Sequence, residues 1–115
     1  MIRIFILVCV VLLNGCATRP RPWARQEKIL LATSCLASAA DAYTTIRFLD
    51  NDSNYEVNPW LGEHPTDRAV IISMVGVNAL VILLVHYIPS WRVPVLGAKT
   101  VLNTGFTINN LTLDW

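Results

Sequence analysis

Residues 69–88 read AVIISMVGVNALVILLVHYI. The run contains no Asp, Glu, Lys or Arg, and its apolar character is broken by Gly76, Asn78 and His86. At 1.5 Å per residue it makes a helix of about 30 Å, which matches the hydrocarbon thickness of a bilayer. It predicts a membrane-spanning helix and sets the frame for the remaining segments.

Upstream, residues 29–49 form a second apolar stretch of span length. Ala32, Ser34, Ala37, Ser38, Ala39, Ala40 and Ala42 give it many small side chains. Such side chains let helices approach closely where lipid supplies little hydrophobic driving force. Downstream, residues 93–108 are shorter and more polar, with Lys99, Thr100, Asn103, Thr104 and Thr107. This segment is expected to cross only when packed against the other two. Pro89-Ser90-Trp91-Arg92 joins the last two segments. Pro89 stops a helix, Trp91 suits an interface and Arg92 is expected to reach headgroups. So tight a joint makes these helices antiparallel neighbours. The expected fold is all-α: a small helical transmembrane bundle with three spans after a signal segment.

Composition agrees. Of 115 residues, 54% are hydrophobic and only 15% charged, a balance shifted towards membrane proteins. The length bounds the chain to one domain. The formal net charge is +1, and no basic block suggests nucleic-acid binding.

The N-terminus carries a separate signal. Arg3 precedes an apolar run from Ile4 to Leu13, followed by Asn14-Gly15-Cys16. A basic start, a short apolar core and a small residue before a cut define a secretory signal. Leu13-Asn14-Gly15-Cys16 resembles a bacterial lipoprotein processing signal, although Asn14 departs from the usual residue type. The resemblance covers residues 1–16. It implies removal of residues 1–15 and a diacylglycerol thioether on Cys16, the expected lipidation site. Arg3 would leave with the signal, so eight basic residues would face eight acidic ones. With Cys9 removed and Cys16 acylated, Cys35 has no disulfide partner and is expected as a small buried apolar residue.

Residues 16–28 contain Pro20, Pro22, Trp23, Arg21, Arg25 and Lys28 and read as a basic periplasmic tether against lipid phosphates. Export at Cys16 puts this tether outside and the acidic 50–67 loop inside. The positive-inside tendency points the other way, since that loop has no Lys or Arg. The export segment is taken to set the orientation in a bacterial inner membrane.

Polar groups within the spans are the candidate functional residues, because ionisable groups at membrane depth face a bundle interior or an aqueous cavity. Asp41, Thr45, Asn78, Lys99 and Asn103 are expected to form one polar seam. Asp41 lies eight residues before the end of the first span, about 12 Å deep. The loop offers Glu56, Asn58, His64 and Asp67 as a possible second site. Their spacing matches no metal motif, so no metal or cofactor is expected, and no catalytic residue can be assigned. Asn58-Pro59 and Gly62 are turn positions, and Thr66 or Asp67 can cap the next helix. Asp41-x-x-Thr44 with Glu56-x-Asn58-Pro59-x-x-Gly62-x-x-Pro65 resembles uncharacterised small bacterial multi-span membrane proteins, a likeness to which no reaction attaches.

The sequence therefore points to a lipid-anchored membrane protein with a structural or interaction role. Its expected partners are membrane lipids and another membrane protein or a second copy. The alternative is a small membrane enzyme or oligomeric transport module built on Asp41, Glu56, His64 and Lys99.

Overall fold

The computed structural model describes residues 20–54, 56 and 60–113. The expected signal peptide 1–15, the expected lipidation site Cys16 and the loop residue Asn58 lie outside them. The described residues form three helices and no strand: α1 (Arg25–Leu49), α2 (Asp67–Tyr87) and α3 (Arg92–Thr112), with a one-turn 3-10 helix at Pro89–Trp91. The fold class is all-α. Two helices, α1 and α2, are long and apolar enough to cross a membrane. The third has the length, at 21 residues.

Local chemistry sets the ends. The N–H of Ala24 donates to the side chain of Glu27, half of a capping box, so α1 begins four residues before the apolar run at Ile29. Thr66 caps α2 through the N–H of Ala69 at 3.2 Å, as its position suggested. At the far end of α1, Asn54 donates to the Phe48 carbonyl at 2.8 Å, meeting one of the unpaired last-turn acceptors. Gly62 has φ +77°, which a β-carbon would resist. Pro89 follows the last turn of α2, and Pro94 falls in the first turn of α3, where a missing N–H costs nothing.

Helix α1 packs most extensively on α3. Glu27 meets Arg92, Ser38 meets Asn103 and Thr45 meets Asn110, each pair 65 positions apart. A constant offset over three turns and more means that α1 and α3 run parallel. Helix α2 runs antiparallel to both, touching α1 at Ser38–Asn78. The order is up, down, up. Contact between α2 and α3 is sparse despite the short joint. They diverge from the joint instead of packing as antiparallel neighbours, leaving a groove floored by α1.

The distribution of side chains is inverted relative to a water-soluble core. Glu27, Ser34, Ser38, Thr44, Thr45 and Arg92 are buried, whereas Leu36, Val75, Leu80, Leu83, Leu102 and Phe106 are exposed. The buried apolar set is small: Ala42, Val70, Val85, Ile88 and Leu96.

Candidate functional site

The α1–α3 interface is polar along its length and divides into three parts. The first lies at the end where α1 and α3 begin and α2 finishes. Arg92 is 0% exposed. Its Nε donates to Val85 O at 3.1 Å. One terminal nitrogen donates to Pro22 O at 3.2 Å and Glu27 Oε2 at 3.1 Å. The other donates to Arg21 O at 2.8 Å and His86 O at 3.4 Å. A guanidinium has five N–H donors, and all five are placed. The plane also stacks over the Trp23 ring, 4.2 Å from its centroid.

This arrangement explains a cation at the start of a helix, where the dipole disfavours it. Arg92 serves the preceding helix, since Val85 and His86 carry last-turn carbonyls of α2 that have no intrahelical donor. Glu27 adds a carboxylate in the first turn of α1, where the dipole favours it. Arg21 also pairs with Glu27. Glu27 is held at about 2, well below the usual carboxylate range. The Arg21 hydrogen bonds contribute most, followed by the Ala24 N–H, with burial opposing and Arg92 adding further stabilisation of the charge. The extended residues 20–24 thus lie against the α2–α3 joint. Arg92, expected at the headgroups, is instead enclosed by the chain, because five acceptors converge on it.

The second part is at mid-helix. Ser38 donates to Ser34 O at 2.9 Å. Its hydroxyl oxygen accepts from Lys99 Nζ and from Asn103 Nδ2, and it lies 3.4 Å from Asn78 Oδ1. One donor and two acceptors exhaust a hydroxyl. Three of the five expected seam residues therefore meet at a serine that had registered only as a small side chain. The third part lies toward the other end. Asn110 Nδ2 donates to Thr44 Oγ1 at 3.2 Å and Thr45 Oγ1 at 3.1 Å. Thr45 is in the seam, but its partner is Asn110, which the sequence reading did not single out.

Asp41 behaves differently. No described residue donates a hydrogen bond to its carboxylate, and Asp41 and Lys99 form no ion pair. Both line the groove between α2 and α3, with a volume of about 810 Å³. Ser38, Thr45, Asn78, Asn103 and Asn110 share its polar floor. Val77, Val81, Leu102 and Phe106 belong to its apolar walls, and Glu56 and Leu61 stand at the loop end.

The described loop residues, Glu56, His64 and Asp67, do not assemble into a site of their own. His64 and Asp67 are exposed, and Asp67 is the first residue of α2. Only Glu56 joins the groove, where its carboxylate interacts with that of Asp41. Among the described residues no group of three His, Cys, Asp or Glu side chains could hold a metal. Cys35 is half-buried and free.

Fold and site together define a small helical bundle that buries polar groups and presents apolar ones. Family models, curated proteins and solved structures contain no match to this chain.

Proposed function

We propose that this protein is a three-span, lipid-anchored inner-membrane protein that acts by holding or organising other membrane components. The observation that carries the reading is the inverted distribution of side chains. In water, exposing Leu36, Leu80, Leu83, Leu102 and Phe106 while burying Arg92 and Glu27 would be unfavourable on both counts. In lipid the exposed apolar side chains meet apolar tails, and Arg92 and Glu27 are each other's partners inside the bundle.

Helix α3 carries Lys99 and Asn103 in mid-helix and turns its polar positions toward α1. Arg92, Lys99, Asn103 and Asn110 are all engaged there. Val93, Val101, Phe106, Ile108 and Leu111 remain outward. That separation supports a third span whose hydropathy is lowered by a face the lipid does not meet. The Leu13-Asn14-Gly15-Cys16 signal supports anchoring of the processed N-terminus on the periplasmic side. The basic end, with Arg21, Arg25, Lys28 and Arg92 against Glu27, then faces outward, and the acidic loop faces the cytoplasm.

Exposed apolar faces on α2 and α3 support a partner-binding role over chemistry. The enzyme alternative needs His64, which lies outside the groove lining. Two measurements test the proposal. Intact mass of membrane-extracted protein should show loss of residues 1–15 and added acyl mass, and a full-length unmodified chain would reject the anchor. A photo-crosslinking residue at Leu80 should give a discrete adduct in membranes and resist alkaline carbonate extraction. Release by carbonate would reject the membrane reading, and a carbonate-resistant chain without an adduct would reject the partner role.

A further inference from the structure

The groove between α2 and α3 contains two opposite charges that do not satisfy each other. Lys99 gives one of its three N–H donors to Ser38, and no described residue accepts the other two. Asp41 has acceptor sites that no described donor fills. Both groups line the same groove, so simple bundle packing leaves unexplained why they remain unbridged. Charged groups at membrane depth are costly unless something in the cavity completes their bonding.

The geometry restricts what that occupant can be. Ser38, which holds Lys99, precedes Asp41 by three residues, a rise of about 4.5 Å along α1. The acid-binding and the ammonium-binding points are therefore slightly less than one helical turn apart. Glu56 adds negative charge on the loop side of Asp41. The walls contributed by Val77, Val81, Leu102 and Phe106 are apolar, and the sparse α2–α3 contact leaves the groove open along its side. An occupant needs an acidic group, a hydrogen-bonding ammonium a few bonds away, and an apolar body that can lie between two helices.

We propose that this groove binds a phospholipid whose head group carries a primary ammonium beside its phosphate, with the phosphate at Lys99 and Asn103, the ammonium at Asp41 and an acyl chain along Val81 and Val95, on the side of Lys99 away from Asp41. A primary ammonium offers three N–H donors, and a quaternary one offers none. The proposal rests on the membrane reading. Failure of that reading appears as carbonate extraction, whereas failure of this one appears as an unselective chain that still resides in the bilayer.

The test uses the full chain in nanodiscs of phosphatidylcholine doped with a minor fraction of phosphatidylethanolamine, with retained lipid counted by native mass spectrometry. With acyl chains held constant, retention should fall about tenfold from phosphatidylethanolamine through its N,N-dimethyl derivative to phosphatidylcholine, the loss of roughly one charge-assisted hydrogen bond. Phosphatidylglycerol, with a phosphate but no ammonium, should also be retained less. Asp41→Asn should abolish the preference for ethanolamine, and Leu102→Trp should fill the groove and remove retention while helix content is kept. Equal retention across the methylation series on the unaltered chain overturns the proposal whatever the variants do. So does a preference that survives Asp41→Asn, or complete displacement of the lipid by free phosphoethanolamine, which would assign the groove to a soluble head group.

Discussion

Replacing Arg92 by methionine isolates the structural cluster at the end of the bundle. Methionine keeps the length and apolar bulk of the stem, so the packing against α2 changes little. It removes five hydrogen bonds and the contact over Trp23 at 4.2 Å. The carbonyls of Arg21, Pro22, Val85 and His86 then lose a donor, in a region where Arg92 itself is 0% exposed. These losses do not add, since the acceptors share one donor group and some gain water. Breaking a buried pair by deleting one partner costs about 3–5 kcal/mol. That is a large share of the roughly 5–15 kcal/mol that holds a domain together. Thermal unfolding in nanodiscs, followed by helical circular dichroism, should show Tm lowered by more than about 10 °C. Arg92→Lys should fall between parent and methionine, because three donors without a plane replace five donors in a fork. Adding Glu27→Leu to Arg92→Met should not recover the loss, because Arg21 and the Ala24 N–H still hold the carboxylate in the single variant. A methionine variant within about 1 kcal/mol of the parent would refute the reasoning.

Three further outcomes follow from the same interface. Glu27 titrates at about 2 in the fold against an ordinary 4.5. Its contribution is fully present above about pH 4.5 and disappears as pH falls from there towards 2, so a Tm–pH curve should drop across that window, and Glu27→Gln should flatten the drop. Ser38→Ala removes the acceptor shared by Lys99 and Asn103 and should destabilise the bundle by roughly 1–3 kcal/mol; unchanged unfolding would show that the two donors find equal partners elsewhere. Asn110→Leu should cost about 1 kcal/mol, in the range of single interhelical hydrogen bonds in membranes, and should have no effect if the Thr44–Thr45 contact is incidental.

Helix existence was legible in the sequence because each segment carries its own apolar run and its own stop. Residues 69–88 read directly as α2 to within two positions at the start and one at the end. The third helix extends beyond the expected 93–108 to Thr112, because Asn109, Asn110 and Thr112 look like a loop until the α1 face that receives Asn110 is known. The mid-helix seam was legible in part. Asn78, Lys99 and Asn103 announce themselves as polar groups in apolar surroundings, whereas Ser38 is lost among six other small residues. Glu27 and Arg92 were hidden for a different reason. Each sits beside an expected interface, where a lone charge normally faces headgroups. One signal was available: Glu27, Ser34, Ser38 and Thr45 repeat the spacing of Arg92, Lys99, Asn103 and Asn110. Two polar stripes with the same spacing fit parallel, in-register helices, but the offset of 65 is a tertiary fact that no local window contains.

The central claim, that all three helices cross with α1 and α3 parallel, is tested most directly by sided labelling of single cysteines. Asp52→Cys, Ser90→Cys and Leu113→Cys would each be treated with a membrane-impermeant maleimide on intact cells and on inverted vesicles, against the parent chain as background. The account predicts that positions 52 and 113 label only from the cytoplasmic side and position 90 only from the periplasmic side. Labelling of 90 and 113 from the same side would contradict it, since α3 could not then span the bilayer.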